Sequence, residues 1–213
     1  MLLLLVSLLI GLPPAVGPAA GDTLVLENAW VRVLRSVRAP HQQTPATDHL
    51  PRVMVYLTDA HERVTDTGGA THDVRQQAGT VTYRNAGVYS EETVSDRPVE
   101  AIVINLKPGA PASPPITLDP VKLDPKYHTV PLENDRVRVL RTVLEPGVKS
   151  PLHEHPHYVV VYLTELHTTM EMADGRVVDN PRRPGDVAWR DALKHATENV
   201  GARTAVEIQV EVK

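Results

Sequence analysis

The stretch Gly147-Val-Lys-Ser-Pro-Leu-His153-Glu-His155-Pro-His157-Tyr-Val-Val-Val-Tyr-Leu-Thr164 sets three histidines at alternate positions ahead of a β-branched, aromatic run. Side chains alternate faces along a strand, so His153, His155 and His157 are expected on one face. Several imidazole nitrogens on one face can hold one metal ion, and His195, further along, can complete the set. Spacing alone fits a solvated loop end equally well.

Working outward, the same stretch is half of an internal repeat. Glu27-Asn-Ala-Trp-Val-Arg-Val-Leu-Arg35 matches Glu133-Asn-Asp-Arg-Val-Arg-Val-Leu-Arg141 at an offset of 106 positions, 133 less 27. That offset also pairs His49 with His155, Val55-Tyr-Leu-Thr58 with Val161-Tyr-Leu-Thr164, and Gly79 with Gly185, and it runs without a gap to Lys107 and Lys213. A register kept this long marks a duplicated domain. The copies span residues 21–107 and 126–213.

Between them, residues 108–125 carry Pro108, Pro111, Pro114, Pro115, Pro120 and Pro125. Proline disfavours both helix interior and ladder, so this connector is expected to be extended and semi-rigid. Within a copy the apolar runs are short and bounded by Gly and Pro turns. Arg136 to Leu144 and Ala205 to Val212 alternate polar and apolar, while Tyr158 to Leu163 is continuously apolar. No long helical period interrupts them, so the fold class is all-β, with a sandwich or barrel in each copy.

Composition sets outer limits. The 213 residues include 22 Lys+Arg and 26 Asp+Glu, and no basic block suits nucleic acid. Phe is absent, so Val, Leu, Ile and Ala must build the core. Leu2 to Leu12 is apolar, too short to span a bilayer, and is followed by Pro13-Pro14 and small residues. Residues 1–20 therefore read as a signal peptide, with a secreted or periplasmic destination and no stable membrane insertion after cleavage. Cysteine is absent, so no disulfide framework bears on that reading.

Gly147, five residues, His153, one residue and His155 resemble the first signature of the cupin family. Pro184-Gly185 followed by His195 and Asn199 resembles the second. The chain looks like a bicupin, two tandem jelly-roll β-barrels, with the signature kept in the C-terminal copy. The resemblance implies that His153, His155 and His195 bind a divalent metal, Fe, Mn, Ni or Zn, inside that barrel. It implies a small-molecule ligand as well, and homodimers are common in the family.

Where cupins add a glutamate, this chain has Val159 and Val160, and His157 is the candidate to replace it. In the first copy Thr47, Pro51 and Tyr89 stand where His153, His157 and His195 stand, leaving His49 alone. That copy is expected to lack a metal, with His41, His61 and His72 as surface or turn residues. Strand parity turns Glu154, Tyr158 and Tyr162 outward, the tyrosines toward the other barrel. Arg182-Arg183 reads as an exposed basic pair or an anion contact.

Two functions follow. One is a metal-dependent enzyme of dioxygenase or isomerase type acting on a small molecule; the other is a non-catalytic binding or structural bicupin. Fold does not choose between them. Titration of the histidine cluster would suit pH sensing, a third and weaker reading.

Overall fold

In the computed structural model, residues 21–213 are described, and the signal peptide read at residues 1–20 lies outside them. The N-terminal half runs β1 (Asp22–Glu27), β2 (Val31–Arg38), β3 (Gln43–His49), β4 (Arg52–Tyr56), β5 (Ala60–Asp66), β6 (Thr71–Gln76), β7 (Val81–Arg84), β8 (Gly87–Thr93) and β9 (Val99–Leu106). After the connector and a single helical turn, α1 (Pro120–Leu123), the C-terminal half repeats the pattern. It runs β10 (His128–Glu133), β11 (Val137–Leu144), β12 (His153–His155), β13 (Tyr158–Tyr162), β14 (Leu166–Met172), β15 (Val177–Arg182), β16 (Val187–Arg190), β17 (Leu193–Asn199) and β18 (Ala205–Val212).

Each half is a five-stranded sheet facing a four-stranded one, and the order is the same in both: β1-β2-β9-β4-β7 with β3-β8-β5-β6, then β10-β11-β18-β13-β16 with β12-β17-β14-β15. The named strand pairs are all antiparallel. The duplication survives in the register itself, since Thr47 pairs with Tyr89 where His153 pairs with His195. Among the described residues no helix is long and apolar enough to cross a membrane.

The two five-stranded sheets pack against each other. Val33, Val53 and Ile104 from one meet Val139, Val161 and Ile208 from the other in one buried cluster of fourteen aliphatic residues. At roughly 1.5 kcal/mol or more for each valine-sized side chain, this face outweighs exposed ion pairs at about 0–1 kcal/mol apiece. The halves are therefore held by one apolar face of each five-stranded sheet, and the opposite faces, which mix apolar and polar residues, turn inward.

Strand parity does not carry across Pro156. The histidines lie on β12 in the four-stranded sheet, whereas Tyr158 begins β13 in the five-stranded one. The crossing between sheets slips the phase by one residue. Val159 and Val161 thus face the other half, while Tyr158, Val160 and Tyr162 fill the interior of their own. The tyrosines expected between the halves are inside one of them.

The connector also departs from a fully extended chain. Asp119 caps α1 by accepting a hydrogen bond from the Val121 amide at 3.0 Å, and Pro120 occupies the first turn, where its missing N–H costs nothing. Proline thus starts this turn of helix.

Candidate metal centre

β12 and β17 are neighbours, and their register sets His153 directly opposite His195, with His155 two residues along the same face. Ring centroids lie 4.6 Å apart for His153 and His195, 4.9 Å for His153 and His155, and 5.5 Å for His155 and His195. One nitrogen from each falls within 4.8 Å of the other two, and all three residues are buried. Two turns stabilise this placement. Gly147, at φ 77°, takes a left-handed turn that a side chain disfavours, and its amide donates to the Asn199 carbonyl. The buried Asn199 amide donates in turn to the carbonyls of Leu144 and Arg203, tying the ends of three strands together.

The tautomers are set by what each ring donates to. Nδ1 of His153 donates to the Pro151 carbonyl at 2.7 Å, and Nδ1 of His155 donates to Oε1 of Glu211 at 2.9 Å. Both rings consequently turn an Nε2 lone pair inward. Nε2 of His155 and both ring nitrogens of His195 are buried without a hydrogen-bond partner. Leaving such groups unsatisfied costs about 1–3 kcal/mol each, and a shared divalent cation would satisfy Nε2 of His155 and one nitrogen of His195 together. Burial holds the His153 imidazole down to about pKa 4 and pushes His155 and His195 well below the ordinary histidine range, so all three are neutral ligands at pH 7. A soft-to-borderline, all-nitrogen set suits a first-row transition ion and leaves coordination positions open.

Behind the histidines sits a layer that alternation alone had disguised. Glu211 is buried on β18, and burial raises it to about pKa 7 against the pull of Arg138. Its Oε2 lies 3.7 Å from Arg138, whose guanidinium donates to Asp119 at 2.9 and 3.1 Å. His128 on β10, also buried, sets its ring 5.3 Å from that of His153 and its Nδ1 3.3 Å from the Asp124 carbonyl. Neither Glu211 nor His128 belongs to the signature spacing. The clue to Glu211 was the Glu207, Gln209, Glu211 alternation, which is polar on the side that faces inward.

His157 is placed apart from the cluster. Its Nδ1 lies 3.2 Å from Asp191, and its ring stacks on Trp189 at 5.9 Å between centroids. Glu154 points away from the histidines, as strand parity implied, but it is not idle. Its Oε2 accepts from the Thr117 amide, the Thr117 hydroxyl and the Leu118 amide at 2.7, 2.9 and 3.0 Å. Its own amide donates to the Leu118 carbonyl at 2.9 Å, so the connector is stitched to the strand that carries the histidines. His41 and His72 are exposed, and His61 pairs with Asp73 at 2.8 Å. Arg182 and Arg183 line an open cleft of about 650 Å³ with His167, Arg203 and two acidic residues. None of the three clustered histidines reaches it, and the orphaned imidazole nitrogens are the stronger mark of a centre.

No family model matches the chain, and no curated protein matches it. Solved structures do. AerE from Microcystis aeruginosa superposes at a TM-score of 0.65 with 9% identity, over 90% of this chain and 97% of that one. A variant of oxalate decarboxylase from Bacillus subtilis gives 0.62 with 13% identity, over 90% and 75%. A cupin 2 conserved barrel domain protein from Leptotrichia buccalis gives 0.56 with 10% identity, over 90% and 88%. At these identities the likeness speaks for the fold. The chain shares the tandem β-fold of these structures, and its C-terminal half carries a buried three-histidine cluster capable of coordinating a divalent metal.

Proposed function

We propose that the C-terminal half, a jelly-roll barrel, holds a divalent metal through His153, His155 and His195 and acts on a small molecule that reaches the ion's open positions. The reading rests on one observation: buried imidazole nitrogens with no hydrogen-bond partner, converging from two strands. A metal bound there supplies Lewis-acid polarisation of a carbonyl or carboxylate oxygen, or oxygen chemistry if the ion is iron. Glu211 orients His155 from behind. Glu207, raised by burial to about pKa 7, lies on the same inward face of β18 and can hold or release a proton near neutral pH. Arg190, bonded to Asn180 at 3.2 Å, offers that interior a positive charge. The structural likeness to oxalate decarboxylase makes small carboxylic acids the first substrates to try.

Metal analysis of the purified chain beside His195→Ala tests the centre, and oxygen uptake and product analysis of loaded protein with a panel of small acids test the chemistry. A second reading, small-molecule binding without turnover, is favoured by the absence of any carboxylate from the three-histidine group. Stable binding of an acid with no turnover by loaded protein would select it. The leader-like residues 1–20 place the protein outside the cytoplasm in this proposal, to be tested by fractionation of the expressed full chain.

A further inference from the structure

The N-terminal half keeps one histidine at the equivalent positions and fills the remainder of that space with charge. Arg52 stands where Tyr158 does, Glu91 where Thr197 does, and Arg84 where Arg190 does, all at the repeat offset. Arg52 and Glu91 side chains are 7% and 13% exposed, so these charges sit inside the sandwich. Arg52 donates to Oε1 of Glu91 at 2.6 Å, and Arg84 donates to the same oxygen. Two guanidinium groups thus lean on one carboxylate oxygen. The ring of Tyr89 lies between them, 5.2 Å from each guanidinium carbon, and stacks on His49 at 4.2 Å.

Donors outnumber acceptors in this cluster. Nδ1 of His49 lies 3.4 Å from Arg52, which can only donate, so Nε2 carries the ring proton and donates to the Thr47 hydroxyl at 3.1 Å. The Thr47 hydrogen is then left to give. Nε of Arg52 and the hydroxyl of Tyr89 are buried without partners. Glu62, another buried carboxylate, is taken by the Tyr56 hydroxyl at 2.9 Å, so that oxygen does not serve the Arg52 and Tyr89 donors. The interior therefore sets two guanidinium groups on one carboxylate oxygen and leaves buried N–H and O–H donors unspent, an arrangement that a further acceptor, an anion above all, would complete.

We infer that the N-terminal half is a metal-free binding site for a small carboxylate, received by Arg52, Arg84, Tyr89 and Thr47. A planar carboxylate matches the fork of a guanidinium better than a tetrahedral anion does. The site stands apart from the metal centre and does not depend on it.

Isothermal titration of the chelator-treated full chain with acetate, oxalate and inorganic phosphate tests this. Saturable binding of a carboxylate, one site per chain and tighter than phosphate, is expected. Arg52→Met should weaken it at least tenfold. Tyr89→Phe, which keeps the ring on His49 and deletes only the hydroxyl, should weaken it roughly threefold to tenfold, the cost of one lost hydrogen bond. If Arg52→Met does not unfold cooperatively, Tyr89→Phe decides. No saturable binding, tighter binding of phosphate, or an affinity unchanged in Tyr89→Phe would each overturn the assignment.

Discussion

Glu211 accepts a 2.9 Å hydrogen bond from Nδ1 of His155 across 56 positions of sequence, and both groups are buried. A carboxylate behind a metal-facing imidazole fixes its tautomer and raises its basicity, and loss of such a partner typically costs 10- to 100-fold in metal affinity. Glu211→Leu should show a loss of about that size by chelator competition. Glu211→Gln, which keeps an acceptor oxygen, should lose less. Wild-type affinity in both variants would mean that Glu211 does not tune the centre.

His195 and His157 should respond oppositely to removal. His195 lies in the cluster, opposite His153, whereas His157 is engaged by Asp191 and Trp189. Loaded wild-type and His157→Ala protein should each retain one ion per chain after desalting, and His195→Ala should retain essentially none. Loss of metal from His157→Ala would bring that residue back as a ligand.

The duplication, the strands and the three clustered histidines were all legible because each is a local pattern or an exact offset. The rest depended on which way an alternating strand faces. Ala205 to Val212 reads as apolar in and polar out, yet Ile208 and Val210 face the other half while Glu207, Gln209 and Glu211 line the interior. A sheet buried on both sides gives alternation no default outside. Tyr158 was misplaced for a related reason: Pro156 moves the chain from one sheet to the other, and parity counted from His153 fails there. His128 gave no signal at all, since its approach to His153 comes from a strand that the signature does not include.

The connector should be protected from proteolysis by Glu154. Hydrogen bonds from the Thr117 amide, the Leu118 amide and the Thr117 hydroxyl hold this carboxylate down to about pKa 2. A depressed carboxylate contributes stability that is complete above its unfolded pKa, here near 4.5, and is lost as pH falls toward the folded value. Cleavage between residues 108 and 125 should therefore stay slow from neutral pH to about 5 and quicken below about 4. Glu154→Ala should be cut several-fold faster already at pH 7, as read by mass spectrometry of the fragments. Equal cleavage of the variant and wild type would show that the connector is held by other contacts.

Glu207 should leave a signature in the pH dependence of stability. Its carboxyl accepts from Gln209 at 2.8 Å inside the C-terminal half, and burial raises it from 4.5 to about 7. The folded chain keeps a proton that the unfolded chain releases above about 4.5, so ionisation opposes folding between those values and the penalty is complete above about 7. Glu207→Gln keeps the oxygen that Gln209 donates to and abolishes the ionisation. The variant should gain on wild type by up to about 3 kcal/mol between pH 4.5 and 7.5, in urea unfolding of chelator-treated protein. Other titrating groups are common to both proteins and cancel in the difference. A stability difference that does not change with pH would mean that Glu207 ionises as a solvated carboxylate, and it would lose its standing as a proton carrier in the interior of the C-terminal half.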